Sequence, residues 1–346
     1  MDIKNMIIKR LKKKGKLKVS EIVKATGFTR AYVNRFFKEL RDEGKVTLIG
    51  SANRAHYVLA LRECVQNAKK NILDITLNLC NRNLNEDRVL ANIKKKTGIF
   101  KNLRKNVSDI LNYTFSEILN NAIEHSRSKT IKVNMARNAD TVSFSVRDTG
   151  VGIFNNIMGK KRLRSVMEAI QDLLKGKQTT APKLHSGEGI FFTSKATDIL
   201  IIRGSDKKLI FDNLLDDVFI KDIKSINGTK VNFAMNTHSK KILLNIFKQY
   251  TDASFEFSRT DVTVRLYEKR AQCVSRSEAR RIVSGLDKFK TVILDFKNVN
   301  SVGQSFADEI FRVWKTGHPG IAIEVKNANE NVQFMINRTR NSLVKE

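Results

Sequence analysis

At 346 residues with 41% hydrophobic content and only two prolines, the chain is long enough for two or three packed domains, and its pattern changes predict three. No apolar run approaches the roughly 18 residues a membrane span needs, and the opening MDIKNMIIKRLKKKGK has an apolar patch far shorter than a secretory core, so a cytoplasmic protein with no membrane partner is expected. A net charge of +29 implies attraction to polyanions, while the three scattered cysteines, Cys64, Cys80 and Cys273, exclude a zinc cluster or disulfide framework.

Ile3, Met6, Ile7 and Leu11 recur at helical spacing among Lys and Arg, predicting a basic amphipathic helix over residues 3–14. Ser20 is the expected N-cap of a short helix through Thr26, Gly27 makes a tight turn, and Thr29 caps a second helix from Arg30 to about Glu43, which Gly44 ends. KVTLIGSANRAHYVLA then reads as two strands around a polar tip. This pattern resembles the winged helix-turn-helix repressors over about residues 1–60. The resemblance implies that the second helix enters the major groove of double-stranded DNA, with Arg30, Tyr32, Asn34, Arg35 and Lys38 facing outward and Arg54 and His56 on the wing. Fifteen Lys and Arg against five Asp and Glu across residues 1–60 favour a nucleic-acid partner, although small winged helices also serve as protein-docking or dimerising modules. Paired half-sites would suit a homodimer, but no heptad or symmetric motif demands one.

Residues 61–112 are mostly helical in pattern, and the basic run NIKKKTGIFKNLRKN reads as a solvated helix face. The expected boundaries are a winged helix over 1–62, a helical connector over 63–84, a central domain over 85–238 and a C-terminal domain over 258–346.

In YTFSEILNNAIEHS, Phe115, Ile118, Leu119, Ala122 and Ile123 form one apolar helix face. Glu117 and Asn121 stand one turn apart, aiming a carboxylate and a carboxamide at the same point, a pairing that suits water positioning and coordination of a hard cation. The strand TVSFSVRD runs into DTGVGIF, placing Asp148 at the strand end and Gly150 and Gly152 where the backbone must turn closely. The ordered set of ExxxNA, DxGxGI about 30 residues on, SGEGI at Ser186–Ile190 and GTKVNF at Gly228–Phe233 resembles the GHKL superfamily of gyrases, ninety-kilodalton heat-shock chaperones, histidine kinases, MutL proteins and anti-sigma-factor serine kinases. The match spans roughly residues 85–236.

That resemblance implies ATP and Mg²⁺ as cofactors. Glu117 would be general base or water-orienting residue, Asn121 would hold the Mg²⁺, and Asp148 would accept from the adenine amino group, helped by Thr229. Gly150, Gly152, Ile153, Gly187 and Gly189 would line the base pocket and lid hinge, and residues 154–186 would form a lid with Lys177, Thr179, Thr180 and Lys183 as phosphate contacts. Such a pocket could serve hydrolysis, a kinase reaction or a nucleotide-gated switch; the leading expectation is an ATP-dependent transcriptional regulator, with a serine/threonine kinase or an ATP-liganded interaction scaffold as alternatives. An ordinary histidine kinase needs an acceptor His on a helix before the pocket, yet none lies between His56 and His125, so that activity is not expected and His125 reads as a packing or pocket residue.

From about residue 260 the pattern alternates: strand VTVRLY, helix SEARRIVSGLDKF, strand TVILDF, helix SFADEIFRVWK, strand AIEVKN and helix ENVQFMIN. VILDFKNVNSVGQSFADEIF resembles the STAS fold of anti-sigma-factor antagonists, and more closely the STAS-like domain of unknown function fused to such ATPases. This implies a protein partner for the domain. Gln304 occupies the antagonists' acceptor position, leaving Ser305 or Ser301 as phospho-acceptor, against the plainer reading of a Ser before a helix as an N-cap. The expected fold class is α+β and multidomain: a winged helix, a GHKL α/β sandwich with helices on one face of a mixed sheet, and a small α/β STAS-like domain.

Overall fold

The computed structural model describes residues 2–50, 55–70, 72–177, 188–267 and 275–342. Two compact units comprise residues 1–77, 87–103 and 134–142, and residues 78–86, 104–133 and 143–346.

The first unit opens with α1 (Ile3–Lys14), capped by the Asp2 side chain, which accepts from Asn5 N at 3.0 Å, and closed by Gly15 at φ 72°. In α2 (Val19–Thr26) the N-cap is Lys18 and not the expected Ser20: Glu21 reaches back to accept from Lys18 N at 2.9 Å, which starts the helix two residues earlier. Gly27 then takes φ 72°, and α3 (Arg30–Asp42) begins at Thr29, whose hydroxyl accepts from Tyr32 N. Strands β1 (Val46–Ile49) and β2 (His56–Leu59) pair antiparallel, with Val46 opposite Leu59. The apolar faces of the three helices meet around Ile7, Leu11, Ile22 and Val33, with Phe37 stacked on Tyr57 at 4.3 Å.

After α4 (Arg62–Lys70) comes β3 (Asp74–Cys80), then α5 (Glu86–Lys96). Within the expected helical connector over 63–84, α4 covers residues 63–70 and β3 covers 74–80. Ile75, Leu77 and Leu79 are half-buried while their neighbours are exposed, a period of two that the preceding helical run obscures in the sequence.

In the second unit α6 (Lys105–His125) buries Ile110, Leu111, Phe115, Ile118, Leu119 and Ala122, the 3.6-residue repeat that makes it a helix. In chain order β4 (Thr130–Arg137) and β5 (Thr141–Asp148) follow, their residues 134–142 counted with the first unit, then α7 (Ile153–Lys161), α8 (Val166–Leu174), α9 (Gly189–Ala196) and the long hairpin of β6 (Ile199–Asp212) and β7 (Asp217–Asn236). The five-stranded sheet has the order β3-β4-β5-β7-β6. Phe144 of β5 stacks on Phe233 of β7 at 4.8 Å, and Phe115 of α6 meets Phe144 edge-on at 5.3 Å.

The chain continues through α10 (Leu243–Tyr250), β8 (Arg259–Thr263), a 3₁₀ turn (Val264–Tyr267), α11 (Arg276–Val283) and β9 (Thr291–Asp295). It ends with α12 (Gln304–Asp308), running through a π-helical segment (Glu309–Trp314) into α13 (Lys315–Gly317), then β10 (Ala322–Lys326) and α14 (Glu330–Ser342). Strands β8, β9 and β10 form a parallel sheet of order β10-β9-β8. The expected strand over residues 262–267 begins earlier and ends at Thr263, because its pairing with β9 stops at Thr263 opposite Asp295 and the chain then turns Val264 and Tyr267 inward. The fold is α+β, and no described helix is long and apolar enough to cross a membrane.

Candidate nucleotide site

Strand β5 delivers Asp148 to a nearly dry position, with 3% of its surface exposed. Its Oδ1 accepts from Gly150 N at 2.9 Å and from Thr229 N at 3.3 Å. Burial pushes the Asp148 carboxyl above its ordinary value, and these amides together with the Thr229 hydroxyl partly counter that cost. The Thr229 hydroxyl also accepts from Ile153 N at 2.9 Å, so one threonine on β7 joins the Asp148 carboxylate to the first residue of α7.

The glycines let backbone segments close around this carboxylate. A Cβ on Gly150 would lie 1.8 Å from the Ser126 carbonyl oxygen, and Gly228, at φ 75°, would put one 2.3 Å from the Asp148 carbonyl. Gly228 opens the GTKVNF box, and its close approach to Asp148 explains why that box starts with a glycine.

On α6, Glu117 and Asn121 are both half-buried, as their place at the edge of the apolar stripe requires. The Glu117 Oε2 lies 1.9 Å from where a Cβ on Gly189 would stand, so the carboxylate rests on the bare backbone at the start of α9. One turn before Glu117 is Tyr113. Burial first, then the charges of Glu117 and Glu188, push its hydroxyl above the usual tyrosine value. Tyr113 thus feels the charges of both Glu117 and Glu188; its i, i+4 spacing from Glu117 is the sign of it in the sequence. His125 sits at the C-terminal end of α6, 4.0 Å from the Glu124 carboxylate.

Of the expected lid contacts, Thr179, Thr180 and Lys183 lie outside the described residues, as do Ser186 and Gly187. Lys177 donates to the Lys288 carbonyl at 3.1 Å, with its ammonium 5.3 Å over the Phe289 ring. Lys175, two residues earlier, is buried and donates to the carbonyls of Arg281 and Ser284 at 2.7 and 2.9 Å; burial pushes its ammonium down to about 8.

Elsewhere, Arg30, Tyr32, Asn34, Arg35 and Lys38 are all exposed on α3. Tyr32 lies edge-to-face between Phe28 and Phe36 at 5.1 and 5.2 Å, and Arg35 pairs with Glu39 at 3.0 Å. Arg54 lies outside the described residues. Ser305 is exposed as the second residue of α12, whose N-cap is Gly303, so its hydroxyl does not cap that helix; Ser301 is half-buried before it.

Residues 106–193 match the family model described as histidine kinase-, DNA gyrase B-, and HSP90-like ATPase, which takes in Glu117, Asn121, Asp148 and Gly189. Residues 278–333 match that of the STAS-like domain of unknown function. No curated protein matches the chain. The chain thus carries a histidine kinase-, DNA gyrase B- and HSP90-like ATPase domain followed by a STAS-like domain.

Proposed function

We propose that this chain is an ATP-dependent regulator in the cytoplasm, in which nucleotide held by the central domain alters DNA binding by a winged helix over residues 1–62 and partner binding by the STAS-like domain. The observation that carries the nucleotide reading is the buried Asp148 carboxylate, fixed by Gly150 and Thr229 within the ATPase-family segment. A carboxylate held nearly dry at the end of a strand is costly unless a donor completes it, and an exocyclic amino group is such a donor.

Glu117 and Asn121 supply the other end. Among the described residues no cluster of three His, Cys, Asp or Glu side chains is placed to hold a metal. Asn121 would hold Mg²⁺ together with phosphate oxygens and water, as this ion commonly binds, and the ion would neutralise phosphate charge. Glu117 would orient and deprotonate the attacking hydroxyl or water, its carboxylate lying against Gly189.

The DNA reading is supported by the exposed set Arg30, Tyr32, Asn34, Arg35 and Lys38 on one helix and by the charge of the first 60 residues. Its test is the affinity for double-stranded DNA with and without Mg²⁺ and ATP, in wild type and Asp148→Asn. A change of affinity with nucleotide in wild type alone is expected; equal affinities under all four conditions would contradict the coupling. The second reading, a serine/threonine kinase acting on its own or a partner STAS domain, draws on the exposed, non-capping hydroxyl of Ser305.

A further inference from the structure

Helix α9 belongs to two sites at once. Its first residue, Gly189, abuts the Glu117 carboxylate, while Phe191 and Phe192 in its first turn sit in the hydrophobic core of the C-terminal segment. Phe191 lies 4.6 Å from Phe257, and Phe192 lies 4.7 Å from Phe247, whose ring also meets Tyr113 edge-on at 5.3 Å. One turn further, Lys195 Nζ reaches Asp261 Oδ2 of β8 at 2.9 Å, the same oxygen that accepts the Tyr250 hydroxyl at 2.7 Å. The ammonium stands 5.3 Å over the rings of both Phe191 and Tyr250.

This junction is specific as well as apolar. The two charged side chains are 28% and 25% exposed, so removing either leaves its partner poorly solvated beside aromatic faces. A helix anchored in this way cannot slide on β8 without breaking the ion pair, and any shift of its first turn moves the backbone on which Glu117 rests. Helix α8 is tied to the same segment: Gln171 Nε2 donates to Leu266 O at 2.8 Å, the Tyr267 hydroxyl donates to Gln171 O at 2.9 Å, and the Thr260 hydroxyl donates to Lys175 O at 2.6 Å.

We propose that Lys195, Asp261 and Tyr250 are positioning residues for the nucleotide site, holding α9, and through Gly189 the Glu117 carboxylate, in register with β8, so that nucleotide occupancy and the conformation of the STAS-like domain are linked. The proposal builds on the nucleotide reading above. A partner that strains or steadies β8 acts on Glu117 through α9, and by reciprocity nucleotide acts on the partner surface with the same coupling.

The test is hydrogen exchange on the full chain with Mg²⁺ and a non-hydrolysable ATP analogue. In wild type, exchange is expected to slow at Gly150–Ile153 and also at α9 and β8. Lys195→Met and Asp261→Asn are expected to lose the β8 response and to bind the analogue about fivefold to tenfold more weakly, within the usual range of couplings between sites. Lys195→Arg restores both, which a loss of packing alone would not allow. Tyr250→Phe, which removes a single hydroxyl, gives a smaller loss in the same direction and covers the case of a variant that fails to fold. Slowing at Gly150–Ile153 with β8 unmoved in wild type, or a full β8 response in Lys195→Met, overturns the proposal while leaving nucleotide binding intact. No slowing at Gly150–Ile153 removes the nucleotide reading and the proposal with it.

Discussion

The carboxylate of Glu117 rests on the bare α-carbon of Gly189, 72 residues further along the chain, with Oε2 only 1.9 Å from where a Cβ would be. The obstruction that a side chain there would meet is the far end of a flexible Glu, which swings away at little cost. Gly189→Ala is therefore expected to leave the melting temperature nearly unchanged while lowering ATP turnover by about tenfold or more, as a misplaced general base does. Gly150→Ala is the contrasting case. Its Cβ would meet the Ser126 carbonyl at 1.8 Å, backbone that cannot step aside, and the expected loss is about 2–3 kcal/mol of stability, read by denaturant titration.

Asp148 carries a stability cost of its own. Burial raises its carboxyl above the ordinary value of 3.8. A carboxyl raised in the folded state favours folding at low pH, and that contribution is lost as pH rises from the unfolded value through the folded one. At neutral pH the ionised group thus costs stability. Asp148→Asn keeps an oxygen to accept from Gly150 and Thr229 and removes the charge, so the nucleotide-free variant is expected to melt higher than wild type at neutral pH, with the gap closing below pH 3.8.

Asp261 behaves in the opposite sense. Burial pushes its carboxyl up, but the Lys195 charge and the hydrogen bonds from Lys195 and Tyr250 outweigh that and hold it below 3.8. Its contribution is fully present above the unfolded value and is lost as pH falls through the folded one. Asp261→Asn is expected to cost about 1.5–3 kcal/mol at neutral pH, the range for hydrogen bonds to a charged group, and progressively less in acid. Thermal melts across an acidic series check this, and a constant difference would contradict it.

On α3, Lys38 is exposed while Arg35 is already paired with Glu39 at 3.0 Å. If this helix meets duplex DNA, Lys38→Ala weakens binding and lowers the slope of log affinity against log salt by about one. Arg35→Ala does less, because binding through Arg35 first breaks its existing pair. Fluorescence anisotropy at several salt concentrations distinguishes the two.

Hydrolysis and kinase activity part at the fate of the γ-phosphate. With γ-labelled ATP and Mg²⁺, an ATPase switch releases free phosphate with no label on the chain, and Glu117→Ala stops the release. Label retained on the chain and lost in Ser305→Ala or Ser301→Ala establishes the kinase reading instead.

Much of the fold was legible because local periodicity makes it so. The 3.6-residue repeat of α6 and the strand running into Asp148 are written in consecutive residues, and the Thr29 cap and Gly27 turn have specific side-chain or φ requirements. Strand β3 was hidden because seven residues of alternation follow directly on a helical run. The junction of Lys195 with Asp261 and Tyr250 was invisible for another reason: it joins residues up to 66 apart, and a lone Lys on a short helix carries no mark of its partner. Lys177 shows the same limit, since its engagement by Lys288 depends on how the C-terminal segment folds back.

The most direct measurement is calorimetric titration of ATP with Mg²⁺ into the full chain and into Asp148→Asn. Wild type is expected to bind one equivalent. The variant, although at least as stable, is expected to bind about 10- to 100-fold more weakly, because the Asn amide would turn a donor towards the adenine amino group, the usual cost of a buried mismatched donor. Equal binding by the two proteins, or none by wild type, would contradict the placement of a nucleotide on Asp148.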